Sequence, residues 1–469
     1  MFEEEDIYSS KDEIKGNIDR FESMLADNKQ YFFDVEDFED ITDHYIEQNS
    51  AKKAIEVIEY ALNQHPDSSV LLLRKAQLLA ALNKPQKSLD LLSKLEMIEP
   101  TNVEIHITKA NILSQLRQYT KAAEAFKKAL ENADEDKDDI ILNIAFEYTN
   151  MGNYDKAIIY LKQALEVNPE NESALFELAF CFEITGRSEE SIGYYQDFID
   201  KHPYSSSAWF NLGVSYSKLN LYEKAIDAYD FSIAIDENFS SAYFNKANAL
   251  ASMHAFEEAI EVYKETFDHE EPDALAWYYI GECYEKLLML NKALSAFRKA
   301  TKLDPFLADA WIGIGMVLDE QGKTNEAVHF LEKGVNLDEK NADYWYILAD
   351  LQSKRGFIDE AQIAYEKVIE FDKDHQEVYL DYSDMYFKTG DIDTALDLAY
   401  RGIKEQASNA LLYYRITAYL MEKGYEIDAY DLFEIGLQIN YAQKEQLFDY
   451  APELTFDNLI QELIETYKA

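Results

Sequence analysis

Asparagines and aromatic residues at a fixed interval supply the first candidate chemistry. Asn211 and Asn245 lie 34 residues apart, each directly after a phenylalanine, Phe210 and Phe244, and Asn248 follows one helical turn on. An asparagine side chain both donates and accepts, so recurrent asparagines on one face can pair with a peptide backbone without reading its sequence. The slot before the asparagine reads Phe176, Phe210, Phe244, Tyr278, Ile312, Tyr346, Leu380 and Tyr414, while the asparagine slot reads Asn143, Glu177, Asn211 and Asn245. The candidate peptide-contacting set is therefore Phe176, Phe210, Asn211, Phe244, Asn245, Asn248 and Tyr278. The same aromatic–Asn filling also serves ordinary helix packing.

Farther along, the same helices turn acidic. Glu282, Glu285, Asp309, Asp319, Glu320, Asp343, Asp350, Glu377, Asp381 and Asp384 recur on one face. Like charges gathered in a concavity focus a negative potential that a Lys/Arg-rich segment would offset. The competing reading is a solvated face in a chain that is acidic nearly everywhere. Charge reversal at Asp309, Asp343 and Asp350 separates the two.

Catalytic constellations do not emerge. The sequence holds no phosphate-cradling glycine loop, no G-x-S-x-G and no C-x-x-C. Its eight histidines never pair at ligand spacing, and His65 and His202 precede prolines, where a positive tip suits a helix C-terminus. No carboxylate pair stands out as an acid/base couple. The expectation is a non-enzyme without cofactor or metal.

Composition narrows the class. Of 469 residues, 47% are hydrophobic and only 15 are glycine and 8 proline, which favours packed helices. The formal charge of −46 disfavours nucleic acid and anionic membranes as partners. Two cysteines, Cys181 and Cys283, sit in apolar helical patterns and read as small buried thiols. The acidic start MFEEEDIYSS lacks the apolar core of a leader, and no apolar run approaches the ~18 residues a membrane helix needs. These features predict a soluble, cytoplasmic protein. Charge is uneven: residues 35–68 hold 2 basic and 9 acidic side chains, residues 69–102 hold 5 and 3.

The elements that would position these residues follow from a repeat. Trp209, Tyr243, Trp277, Trp311, Trp345, Tyr379 and Tyr413 recur every 34 residues, each followed sixteen later by an alanine, from Ala225 to Ala429. Pro66, Pro100, Pro169, Pro203 and Pro305 fall near repeat ends. Trp277, Ile280, Gly281, Tyr284, Ala293, Phe297, Ala300 and Pro305 give one full copy. Trp209, Leu212, Gly213, Tyr216, Ala225 and Tyr229 give another. This pattern resembles the tetratricopeptide repeat family. Read in that register, twelve repeats run from 35–68 to 410–443, with one extra residue in the ENADEDKDD turn of the repeat 103–137.

The resemblance implies an all-α fold, a right-handed α-solenoid of helix-turn-helix repeats. One helix pair cannot bury its apolar face alone, so neighbours stack into a continuous core and leave a concave face lined by first helices. Alanine and glycine slots mark close helix approach. Residues 1–34 form an acidic segment with a capping helix: Ser10 and Glu13 suit a capping box, with Ile14, Ile18, Phe21 and Leu25 on one face. Residues 444–469 end in a capping helix bearing Leu459, Ile460, Leu463, Ile464 and Tyr467.

By the same resemblance the chain is expected to be a protein-interaction scaffold or adaptor, taking partner segments, extended or Lys/Arg-rich, in its groove. Its compact, acidic, aromatic style is similar to bacterial members. The alternative is a regulatory or structural subunit held by its outer face or caps. Chaperone-docking members carry a lysine where this chain has Glu39, Leu73, Ile107, Leu142, Phe176, Phe210, Phe244 and Tyr278, so that use is disfavoured. Oligomeric state does not follow from the sequence.

Overall fold

The computed structural model describes residues 2–27 and 30–468, with side chains from 14–26 and 30–468. An N-terminal helix α1 (Phe2–Asp27) precedes a run of helix pairs. These are α2 (Val35–Glu47) with α3 (Ala51–Gln64), α4 (Ser69–Ala81) with α5 (Pro85–Ile98), α6 (Val103–Gln115) with α7 (Tyr119–Asn132), and α8 (Lys137–Asn150) with α9 (Tyr154–Val167). Then come α10 (Glu172–Ile184) with α11 (Ser188–Lys201), α12 (Ser206–Lys218) with α13 (Tyr222–Ile235), α14 (Ser240–Ser252) with α15 (Phe256–Glu265), and α16 (Ala274–Lys286) with α17 (Leu290–Leu303). The last are α18 (Ala308–Glu320) with α19 (Thr324–Leu337), α20 (Ala342–Lys354) with α21 (Ile358–Phe371), α22 (Val378–Lys388) with α23 (Ile392–Glu405), and α24 (Ala410–Glu422) with α25 (Glu426–Asn440). Two short helices, α26 (Glu445–Tyr450) and α27 (Asn458–Thr466), close the chain. No strand occurs among the described residues. The architecture is an all-α solenoid of helix pairs. It divides into two compact units, residues 1–237 and 238–469.

One backbone slot sets the repeat. Asn49, Asn83, Arg117, Gly152, Gly186, Asn220, His254, Leu288, Gly322, Gly356, Gly390 and Gly424 all have positive φ, each between the two helices of a pair. A left-handed residue ends the first helix: Lys323 N–H donates to the Leu318 carbonyl at 2.8 Å, across the Gly322 turn. The slots step by 34 except from Arg117 to Gly152, where the added residue lies; Asp136 in that repeat also takes φ of 52°.

The small-residue slots mark close approach, as expected. A Cβ on Gly213 would lie 2.5 Å from the Tyr229 ring, and one on Gly281 would lie 2.6 Å from the Phe297 ring. The tryptophan slot also ties down the preceding turn. Trp209 Nε1 donates to the Pro203 carbonyl at 2.9 Å, and Trp311 Nε1 to that of Pro305 at 2.9 Å. Side-chain oxygens of Asn102, Asn171 and Ser205 cap α6, α10 and α12.

The ends differ from the sequence reading in detail. Helix α1 is already formed at Phe2, so Ser10 does not start it; the side chains of Ser10 and Glu13 lie outside those described. Ile18 and Phe21 are buried with Met24, whereas Leu25 faces solvent. His65 caps α3 and its Nε2 lies 2.8 Å from the Phe33 carbonyl. At the other end Leu447, Leu454, Ile460 and Ile464 are buried against Tyr414, Phe433 and Leu437. Cys181 and Cys283 are both buried, and burial pushes their thiols up to about 11 and about 12.

Candidate binding surfaces

In the first unit, the uncovered face of α10 is apolar. Phe176, Phe180 and Ile184 are 38%, 45% and 55% exposed. Their four-residue step places them on one stripe about 12 Å long. Phe210 of α12 meets Phe176 edge-on at 6.1 Å and packs on Tyr229 at 5.9 Å. Helix α10 carries Glu172, Glu177 and Glu183 and no cation; Lys218 of α12 reaches Glu183 at 2.6 Å. The sequence reading named Phe176 but missed Phe180 and Ile184, although their i, i+4, i+8 step was legible.

At Asn211 the expected asparagine ladder is corrected. Asn211 is buried, and its Nδ2 donates to the Leu175 carbonyl at 3.3 Å, beside the Tyr195 hydroxyl at 2.8 Å. In the second unit Asn245 turns back to the Ser241 carbonyl at 2.9 Å, and Asn248 accepts the Tyr263 hydroxyl. Asn143 does the same in the first unit, donating to the Asp139 carbonyl at 2.8 Å. For Asn143 and Asn245 the reason is local, a short amide reaching the carbonyl one turn back, whereas Asn211 and Asn248 are engaged by a neighbouring helix. Phe244 packs on Tyr263 and Tyr279, both at 5.6 Å, and Tyr278 packs on Phe297 at 5.8 Å.

In the second unit, the acidic face holds carboxylates that are mostly answered from within. Tyr278 donates to Glu282 at 2.8 Å, Tyr344 to Asp309 at 2.5 Å, and Tyr346 to Asp381. Lys354 pairs with Asp350 at 2.6 Å. His375 stands 3.6 Å from Asp343 and 3.7 Å from Glu377. The side-chain carboxylates of Glu285 and Asp319 form no hydrogen bond or ion pair among the described residues. Burial pushes Glu282, Glu285 and Asp381 above the usual carboxylate range; the Tyr278 and Tyr346 hydroxyls hold Glu282 and Asp381 back in part.

Asp384 is a correction of another kind. It is buried, pairs with Lys388 at 2.6 Å and Arg415 at 3.2 Å, and accepts the Tyr450 hydroxyl from α26. The Arg415 guanidinium lies 3.8 Å from the centre of the Tyr450 ring, which also packs near Phe387 and Tyr419. The C-terminal segment thus covers Asp384 and its neighbours. Nothing in the sequence of α22 alone signals this, because Tyr450 lies 66 residues away.

Among the described residues, no group of His, Cys, Asp and Glu could hold a metal ion, and no helix is long and apolar enough to cross a membrane.

Stacked helix pairs with an uncovered row of first helices define the class of protein-interaction scaffolds. Family models described as tetratricopeptide repeat match residues 45–112, 103–136, 139–171, 173–205, 206–239, 274–307, 308–341 and 346–410. The chain belongs to the tetratricopeptide repeat family. No curated protein matches it. Among solved structures it is similar to the APC/C hetero-tetramer Cut9–Hcn1, at 15% identity and a TM-score of 0.41, covering 86% of this chain and 89% of that one. It is also similar to YrrB, a TPR protein with an unusual peptide-binding site, at 21% identity and a TM-score of 0.32, covering 39% and 95%.

Proposed function

We propose that this chain is a non-catalytic adaptor that grips a segment of a partner protein on the uncovered face of its first helices. The observation that carries the reading is the stripe Phe176, Phe180 and Ile184. Three large apolar side chains lie partly exposed on successive turns of one helix, Phe176 touching the Phe210 ring and Phe180 the Tyr154 ring at their edges. Apolar surface rimmed by charge is the signature of a docking site. Glu172, Glu177 and Glu183 supply the rim, so the fitting segment is an amphipathic one with Lys or Arg beside its apolar anchors.

The acidic face of the second unit supports the same preference for a cationic partner at Glu285, Asp309, Asp319 and Asp343. It does so more weakly, because tyrosines and lysines of the chain already engage several of its carboxylates.

Fluorescence anisotropy with a labelled Lys/Leu amphipathic 18-residue peptide tests the reading. Phe176→Ser, Phe180→Ser and Ile184→Ser together should weaken binding by more than tenfold while helicity stays unchanged. Equal affinity for the triple variant would remove α10 from the site.

A further inference from the structure

Helix α17 stands apart in this acidic chain. Its sequence, LNKALSAFRKATKL, carries Lys292, Arg298, Lys299 and Lys302 and no carboxylate. From Lys286 through Leu303 the chain has five cations and no acid, against a whole-chain charge of −46. Every other second helix of a pair, α3 to α25, includes at least one Asp or Glu.

The basic side chains lie on the solvent face. Lys292, Arg298, Lys299 and Lys302 are all exposed, while Ala293, Ala296, Phe297 and Ala300 are buried. Lys299 lies over the Trp277 ring at 3.6 Å and Lys292 over Tyr284 at 5.3 Å. Among the described residues none of the four forms an ion pair. With no carboxylate on α17, none of these cations has an i, i+4 partner on its own helix, in a chain where carboxylates outnumber cations two to one. Two exposed apolar residues continue the surface: Leu303, and Phe306 at 79% exposure just beyond Pro305.

We propose that this face of α17 docks an acidic segment of a partner protein, with Leu303 and Phe306 receiving its apolar anchor. Complementary charge selects an anion, and the size of the face selects the kind. Lys292 to Lys302 spans about 15 Å of helix. Charge is felt over about 8 Å at physiological salt. A short acidic segment fits within that reach. Nucleic acid or an anionic membrane would extend past it toward α15, which packs on α16 as α17 does and carries Glu257, Glu258, Glu261 and Glu265, and be repelled. The proposal is independent of the cationic partner assigned to α10: it concerns a different helix and the opposite charge.

The test uses the full chain and a labelled 15-residue peptide of glutamates and aspartates bearing one phenylalanine near its end. Binding measured by anisotropy should weaken by more than tenfold for Arg298→Glu/Lys302→Glu, and its salt dependence should flatten. Phe306→Ser should weaken it several-fold, and the Phe180→Ser variant should leave it unchanged. Unaltered affinity in the charge-reversed chain overturns the proposal. So does equal or tighter binding of a 15-base-pair DNA duplex or of phosphatidylserine vesicles. Light scattering that shows a dimer abolished by the same two substitutions also overturns it, because the occupant would then be a second copy.

Discussion

Helix α10 in the first unit and helices α16, α20 and α22 in the second occupy the same register, yet the same slots carry opposite chemistry, with that of α22 covered by the C-terminal segment. Where α10 places Phe180, the others place Glu282, Asp350 and Asp384; where α10 places Ile184, they place Lys286, Lys354 and Lys388. In the second unit the acid is followed four residues on by a lysine, the spacing that pairs side chains along a helix. Asp350–Lys354 and Asp384–Lys388 close at 2.6 Å. One unit presents apolar surface that stays partly exposed, and the other presents charge that is partly satisfied at home. The stacking slots are common to both, so the fold leaves the uncovered slots free to specify partners.

The comparison breaks first if buried and uncovered slots prove equivalent. Gly281→Leu should destabilise the chain by about 2–3 kcal/mol, because the new side chain must displace the Phe297 ring. Phe180→Asp, in an uncovered slot, should stay within about 0.5 kcal/mol of the wild type. Urea midpoints compare the two, and equal losses would show that the α10 stripe is part of the core. The stripe itself should matter for binding: Phe180→Asp should cost about 2 kcal/mol toward the Lys/Leu peptide, roughly thirtyfold in Kd, as expected for a central anchor.

The fold was legible because packing repeats. Trp277, Gly281, Ala293 and Phe297 each have a fixed neighbour, so a period of 34 announces them. The site was less legible for the opposite reason. Asn211 sits in the expected slot, but whether its amide faces solvent depends on the Leu175 carbonyl of the preceding repeat. Asp384 reads as an open carboxylate until α26 brings Tyr450 against it. Contacts between residues far apart in sequence have no period to reveal them. Phe180 and Ile184 were within reach, since the step from Phe176 is local.

A smaller effect sharpens the second half of the comparison. Lys354→Ala removes the internal cation from Asp350 and should tighten binding of a Lys/Arg-rich peptide by about 0.5 kcal/mol, two- to threefold, the scale of an exposed ion pair. Lys388→Ala should change nothing measurable in the same titration, because Arg415 and Tyr450 still hold Asp384. An equal response of the two variants would mean that the C-terminal segment does not close that end.

The smallest effect is the response to pH, and its cause should differ in sign between the Glu282/Glu285 pair of the second unit and Glu96 of the first. Burial raises Glu282, Glu285 and Asp381 above their unfolded values, so the folded second unit binds extra protons as pH falls toward the carboxylate range. A state that binds more protons gains stability as pH drops, so Tm should rise modestly as pH falls from neutral toward the unfolded carboxylate value. In the first unit Glu96 behaves oppositely. Burial pushes it up, but Lys109 at 2.5 Å and Lys128 at 2.7 Å hold it down to about 2. A depressed carboxyl contributes stability above its unfolded value and loses it only as pH falls toward the lowered one, so Glu96 is silent across that window. Glu282→Gln/Glu285→Gln should therefore flatten the Tm profile, while Glu96→Gln should lower Tm evenly across it. A profile unchanged by the first pair would mean that those two carboxylates are solvated like any on the surface, and the partly satisfied face would then be an ordinary wet one.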